Sequence, residues 1–511
     1  MKTYCFHPPK NIIIGTLAAM LWVAVFPFWL LGESTPLNAL VSGEVPLWDT
    51  LTCLTMQDYS NITRAKWDGM LIFTMLTLLL TIPTLFHRAK RRKLPLMLLF
   101  LLWTGLSCFF GSHAGEMNVW GVPTVLWGSG RYEGFVTIAC YGLIFLCLRR
   151  MDANVPALLT VCSAAATGYL VLVLLQYAGF NPLSLFPMGR NILTNYEFQG
   201  SIGNIDLVSA WVCLLMPGLL GSFVLGQKHH WLHLPGGLCA ILLTLLMDVQ
   251  SGLIVLALTL LALICLAFRQ PECLARLLLM LGLTLLLFAL RQAIVLPWLD
   301  GSADIEFAPG QVSAVCTLLG VVLVALAPLL MCHPPRPLPR KGLLALVCAG
   351  LLVALILVAF LPMPEGGALW EMHELLNGRA QDAFGSERIG VWRMTLEMTA
   401  QSPWFGLSPD AFYAAFRDYL DATGQTILQN FDNPHNFFLQ TMVNSGIPAA
   451  LLLMLTCAAA ITGAIRKRET LPLAMMAVGF LAQGMFTFSI CLTSPMFYAI
   501  LGLCAAKKAA E

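Results

Sequence analysis

Apolar runs dominate the chain, and short polar connectors break them at nearly regular intervals. A helix needs about 20 apolar residues to cross a hydrocarbon layer roughly 30 Å thick. Runs of this kind stand at 11–31, 67–87, 94–112, 133–148, 155–180, 204–226, 231–249, 251–268, 275–297, 311–332, 342–362, 437–465, 471–490 and 493–506. Each is expected to be helical, because lipid offers the backbone no hydrogen-bond partner of its own. The predicted fold is therefore an all-α polytopic membrane protein, a bundle of about fourteen transmembrane helices. The first run is long enough to span and lacks a small-residue cleavage site, so it reads as a span and not as a cleaved leader.

One lapse in the pattern is far longer than the others. Between 363 and 436 the apolar runs give way to a stretch rich in Trp, Glu, Asp, Arg, Gly and Pro. This divides the chain into a membrane part of about eleven spans (1–362), a large polar loop (363–436) and a closing part of about three spans (437–511). The loop predicts three short amphipathic helices. Ala368 to Leu376 ends at Asn377-Gly378, which suits a C-cap. Glu387 to Gln401 follows Ser386 as N-cap and carries Ile389, Trp392, Leu396 and Thr399 on one face. Ser408-Pro409-Asp410 opens a third, with Phe412, Ala415, Phe416 and Leu420 on its apolar side.

Composition agrees: 58% of residues are hydrophobic and 11% charged, where a soluble domain has about 25% charged. The net charge of +2 says little, but its distribution orients the chain. Alternate connectors hold twenty of the twenty-nine Lys and Arg residues, among them the runs Arg88 to Lys93 and Arg466 to Arg468. By the positive-inside rule both termini are expected in the cytoplasm and the 363–436 loop outside the cytoplasmic membrane. The sixteen cysteines fall mostly inside apolar runs and none lies in the loop, so neither a disulfide framework nor a thiolate zinc site is suggested there.

The basic residues left on the outer side are nearly all arginine, the side chain that grips phosphate in a bidentate fork. Arg388 stands near the start of a loop helix, where backbone amides also favour an anion; a surface ion pair or a charge beside Trp392 is the plain alternative. Arg131 sits where an outer connector enters a span and has Glu133 as a local partner. Arg291 lies in the outer third of an apolar run, where snorkelling outward relieves the charge. His435, between Pro434 and Asn436 at the junction of loop and span, is the outer-side histidine best set to move a proton at neutral pH. No P-loop, dinucleotide fingerprint or zinc-protease motif occurs. The spans carry almost no carboxylates, which argues against a proton- or sodium-coupled transporter.

Several of these stretches, in this order, resemble the O-antigen ligase/polymerase family, the lipid-linked oligosaccharide ligases. Gly128 to Gly134 resembles the family's Arg-x-Glu-Gly start of a span, and Gly200-Ser201-Ile202-Gly203-Asn204 resembles its Gly-Thr-Leu-Gly-Asn segment. Gly385-Ser386-Glu387-Arg388 with Trp392 is similar to its Gly-Ser-x-Arg-x-x-x-Trp helix. Pro403 to Phe412 follows, with Ser408 in place of a glycine, and His435-Asn436-x-x-Leu439 matches its His-Asn-x-x-Leu. The chain departs at Gln250-Ser251-Gly252, where relatives often carry Ser-Arg-Gly.

The resemblance implies a GT-C-like bundle that transfers a glycan on the outer leaflet. The donor would be a glycan on undecaprenyl diphosphate, and the acceptor a glycan, lipid or protein hydroxyl. His435 would be the base and Arg388 would stabilise the leaving diphosphate. Arg131, Glu133, Asn204, Arg291, Trp392 and Asn436 would bind substrate. The implied reaction inverts the anomeric centre and needs no cofactor or metal; membrane lipids, but no nucleic acid, are the expected surroundings. Ligase and polymerase stay open within this reading. A glycolipid flippase or other transporter, and a non-catalytic assembly protein, stand outside it.

Overall fold

The computed structural model describes residues 10–30, 59–85, 95–118, 121–180, 192, 196, 198–268, 270–295, 305–332, 340–363 and 365–506. The expected cytoplasmic residues Lys2, Arg88 to Lys93, Arg269, Arg336, Lys507 and Lys508, and the outer Arg190, lie outside this set.

The described residues are mainly helical, with two short antiparallel strand pairs at 198–199/203–204 and 294–295/306–307. In order the helices are α1 (Lys10–Met20), α2 (Tyr59–Leu85), α3 (Leu96–Phe110), α4 (Thr124–Trp127), α5 (Phe135–Leu148), α6 (Val155–Tyr177), α7 (Ile205–Val224), α8 (His230–Met247), α9 (Gln250–Ala267) and α10 (Pro271–Ala293). They continue with α11 (Gln311–Cys332), α12 (Arg340–Phe360), α13 (Ala368–Leu376), α14 (Arg388–Gln401), α15 (Phe412–Thr423), α16 (Phe437–Ser445), α17 (Ile447–Ile465), α18 (Leu471–Gly484) and α19 (Ser494–Cys504). Among the described residues, eight helices are long and apolar enough to cross a membrane: α2, α6 to α11 and α17. Further apolar helical stretches are shorter, including α3, α5, α18 and α19. The chain is a multi-pass membrane protein.

Two predicted spans are broken. The run 437–465 divides at Gly446, whose φ of +86° is a conformation that L side chains rarely adopt. A Cβ there would also lie 2.0 Å from the Trp404 carbonyl oxygen. The polar segment docks into this break: Ile447 N–H donates to Pro403 O at 2.8 Å, Leu407 N–H to Val443 O at 2.8 Å, and Ser408 N–H to Asn444 O at 2.9 Å. The run 471–490 likewise stops as helix at Gly484, leaving residues 485–493 as an irregular turn.

α7 is the axis of the bundle, buried from Leu207 to Val224, with α8 and α18 beside it. Lipid is as apolar as a side chain, so such packing depends on close backbone approach and van der Waals contact. Gly479 of α18 supplies the approach, since a Cβ there would meet the Cys213 carbonyl oxygen at 2.3 Å. At the other extreme α11 lies along α10 and has only 11% of its span buried.

Helices α14 and α15 build a second, separate core from Val391, Met394, Met398, Leu407, Phe412, Phe416 and Phe431, joined by Val443 of α16. The face predicted for α14 is corrected here. Val391, Met394, Thr395 and Met398 are buried, at spacing i, i+3, i+4, i+7, whereas Leu396 is 51% exposed. α14 offers two semi-apolar stripes, and α15 selects this one, which turns Trp392 to the other side.

Candidate active site

His435 sits just before α16 and is shaped by its neighbours. Asn433 Oδ1 accepts the His435 backbone N–H at 3.0 Å, an Asx turn that sets a φ of +48°. Asn436 caps α16, its Oδ1 accepting from Phe438 N at 3.1 Å and Leu439 N at 3.0 Å. Its Nδ2 donates to the Met485 carbonyl at 3.0 Å. Trp392 Nε1 donates to the Pro434 carbonyl at 2.9 Å, so α14 pins the residue ahead of the histidine. The imidazole is half-buried between Phe431 and Phe488, edge to face at centroid distances of 5.3 and 5.1 Å.

Two nitrogens at this place are buried and without a hydrogen-bond partner among the described residues: His435 Nδ1 and Arg388 Nε. Arg388 opens α14, and its guanidinium donates to the Gly385 carbonyl at 3.0 Å. Burial pushes the His435 imidazole down to about 4; the Arg388 charge adds to the push, Asp432 opposes it, and Arg131 adds a further push. At neutral pH the ring is therefore uncharged.

Arg131 reaches the same place from the opposite side. Its Nε donates to Asp432 Oδ2 at 2.5 Å, and its guanidinium lies 5.2 Å from the centre of the Phe488 ring. Asp432 thus takes the role expected of the nearby Glu133. The Arg131 turn is held by Asp410, whose Oδ2 accepts Ser129 N at 2.6 Å, Ser129 Oγ at 2.9 Å and Glu133 N at 3.3 Å. Burial pushes this carboxyl up to about 6, against those hydrogen bonds. The predicted helix start at Ser408-Pro409-Asp410 is a correction: Asp410 has a φ of +60° and α15 begins at Phe412.

Backbone strain gathers here. Of eight non-glycine residues with positive φ among the described residues, six (Tyr132, Ser386, Glu387, Ser408, Asp410 and His435) belong to these turns. Each such residue costs on the order of 1–3 kcal/mol and persists only where its surroundings over-determine it. Ser386 is therefore no N-cap. Glu387 turns its carboxylate outward to accept the Leu428 and Gln429 amides, both at 2.8 Å.

The structure thus brings together His435, Arg388, Trp392, Asn436 and Arg131. It does not bring in the other three predicted substrate-binding residues. Glu133 is 4% exposed and accepts from the Tyr141 hydroxyl at 2.7 Å. Asn204 caps α7, accepting from Asp206 N at 2.8 Å. Arg291 donates to the Leu245 carbonyl at 3.2 Å and the Ile294 carbonyl at 3.0 Å, lining a cavity of about 550 Å³ with Asp248 and Phe288 at the ends of α8 and α10. Sequence reasoning missed Asp410, Phe488 and the Met485 carbonyl; the only signal for the last two was the polar pair Thr487 and Ser489 inside an apolar run. Among the described residues, no three His, Cys, Asp or Glu side chains converge as metal ligands would.

Compared with known proteins, residues 313–454 match the family model described as O-Antigen ligase. No curated protein matches the chain. The matched stretch contains Arg388, Trp392, His435 and Asn436, while Arg131 and Phe488 lie outside it.

Proposed function

We propose, for a chain that carries an O-antigen ligase domain at residues 313–454, a membrane glycosyl-transferring enzyme that works at His435. The donor is a glycan on undecaprenyl diphosphate and the acceptor carries a free hydroxyl. What supports the reading above all is the juxtaposition of two buried, unpartnered nitrogens, one on a cation and one on an uncharged base.

An acceptor hydroxyl gives its proton to the free imidazole as its oxygen attacks the anomeric carbon. The bond to the diphosphate breaks, and the leaving anion collects its charge on Arg388 with help from Arg131. Attack from the face opposite the leaving group inverts the centre. Arg388 and Arg131 add to the effect of burial on His435, and a bound diphosphate neutralises their share, so the imidazole becomes a stronger base when donor is bound.

The test is His435→Ala, with lipid-linked glycans and finished surface polymer profiled in cells carrying the intact gene, the variant or no gene. Loss of the base is expected to lower transfer by about 10²–10⁴-fold. Long lipid-linked glycan accumulating beside bare acceptor marks a ligase, and single lipid-linked repeat units mark a polymerase. Polymer unchanged in the variant removes the catalytic reading and favours a transporter or assembly protein.

A further inference from the structure

Helix α13 turns the usual amphipathic arrangement around. Leu369, Met372, Leu375 and Leu376 form one apolar arc of about 120°, and all four are exposed, between 43 and 61%. Trp370, Glu371, His373 and Glu374 occupy the rest of the circumference and are half-buried. A helix in water buries the first set and shows the second. Here the polar side packs on the protein, and the apolar side needs a cover from outside it.

The level at which α13 is fastened names that cover. His373 Nδ1–H donates to the Val358 carbonyl at 2.8 Å and Asn377 Nδ2 to the Ala359 carbonyl at 3.1 Å. Both carbonyls belong to the last turn of α12, where a helix has no partners of its own to offer them. α12 is apolar from Cys348 to Phe360 and exposes Leu352, Val353, Ile356 and Leu357, as a lipid-facing helix does. Phe360 and Leu361, which lead out of it toward α13, are exposed as well. α13 is therefore tied at the height where a lipid-covered helix ends. At that boundary amphipathic helices sink an apolar face about 5–10 Å into the bilayer.

The packed side of α13 leads to the candidate site. Glu371 Oε2 accepts the Gly385 N–H at 3.0 Å, and the Trp370 ring meets the buried Phe384 ring edge to face at 5.4 Å. The Gly385 carbonyl in turn accepts from the Arg388 guanidinium at 3.0 Å.

We propose that α13 is an interfacial helix. It rests Leu369, Met372, Leu375 and Leu376 in the membrane surface beside α12, and through Glu371 and Trp370 it fixes the Arg388 turn at the depth of lipid headgroups. A diphosphate on a lipid chain carries its phosphates at that depth, so the helix presents Arg388 to a donor that never leaves the bilayer. The link to Arg388 rests on the enzymatic reading above; the seat in the membrane does not.

The experiment has two arms. In the first, a photoreactive benzophenone side chain replaces Leu369, Met372 or Leu376, or Asp421 on the exposed side of α15, one at a time, in protein reconstituted into phosphatidylcholine vesicles. Illumination is expected to give lipid adducts from the three α13 positions and none from Asp421. Adducts to a second copy of the chain in place of lipid, or adducts as frequent from Asp421, overturn the proposal. In the second arm, Glu371→Ala and Glu371→Gln are purified and added to membranes from cells lacking the gene, which hold both donor and acceptor. Glu371→Ala removes the acceptor of the Gly385 N–H and is expected to lower transfer roughly fivefold. Glu371→Gln keeps an acceptor oxygen and recovers most of the activity, and neither change alters the lipid adducts. Glu371→Ala as active as the intact protein, or Glu371→Gln no better than Glu371→Ala, overturns the link to Arg388. Lipid adducts form whether or not glycan is transferred, so a failure of the enzymatic reading at His435→Ala is told apart from a failure here.

Discussion

Two polar clusters meet at Phe488, and they are built on opposite principles. On the Arg388 side two buried nitrogens go without partners. On the Arg131 side the charged side chains are paired: Arg131 with Asp432, Asp410 with Ser129 and Glu133 N–H, Glu133 with Tyr141. Leaving a buried donor unmade costs about 1–3 kcal/mol, whereas a made hydrogen bond contributes only about 1 kcal/mol net. The unpaired side is therefore held at higher free energy and gains most from a ligand that completes it; the paired side has less to gain and serves to hold its partner still. Binding capacity here is read from what is left unsatisfied, and not from where charge is most abundant.

The sharpest way to break this contrast is to exchange the arginines' fates. Arg388→Ala is expected to lower kcat/KM for transfer by about 10²–10³-fold, the usual loss when a donor to developing charge is removed. Arg388→Lys should recover little, because a point charge does not reproduce the fork. If Arg131→Ala proves the more damaging of the two, measured on the same membranes, the contrast is reversed. A middle-sized effect is expected from Trp392→Phe, which keeps the ring but loses the hydrogen bond to the Pro434 carbonyl. About 1 kcal/mol is at stake, or roughly fivefold in transfer, with no change in protein abundance in the membrane.

The smallest effect sharpens the contrast through pH. His435 is uncharged down to about pH 4, against an ordinary 6.5, so kcat/KM should keep its value through pH 6 and fall only near pH 4. Asp432→Asn removes the group that opposes the downward push, and the acid limb should move further down. The stability sign is the same: a depressed histidine contributes stability fully above pH 6.5, and that contribution is lost as pH falls toward 4. An acid limb near 6.5 in the intact protein would show that the ring is not buried as described.

Part of the grouping around His435 was legible in the chain. His435, Arg388, Trp392 and Asn436 stand in the longest polar stretch of an apolar sequence, and local rules of capping and proline placement pointed at them. Glu133 misled for a physical reason: sequence puts it two residues from Arg131, but its tertiary setting gives Arg131 to Asp432 and hands Glu133 to a tyrosine on α5. The face of α14 was misread because two stripes satisfy the helical period and only the partner helix decides between them. The breaks at Gly446 and Gly484 were hidden because apolar residues continue on both sides, so hydropathy carries straight through them. Asn204 and Arg291 lie on the expected spans, yet their side chains serve helix ends.

One consequence of the enclosed α7 concerns how the molecule comes into being. Helix α18, which closes over α7, is made more than two hundred residues later. Until the ribosome has delivered residues 471–484, one flank of the central helix must rest against lipid, where Gly218 and Gly479 have yet to meet their packing partners. The residues immediately after, Met485, Phe486 and Phe488, are the ones that receive Asn436, Trp392 and His435. Closure of the bundle and completion of the cluster around His435 therefore both wait on residues 471–488.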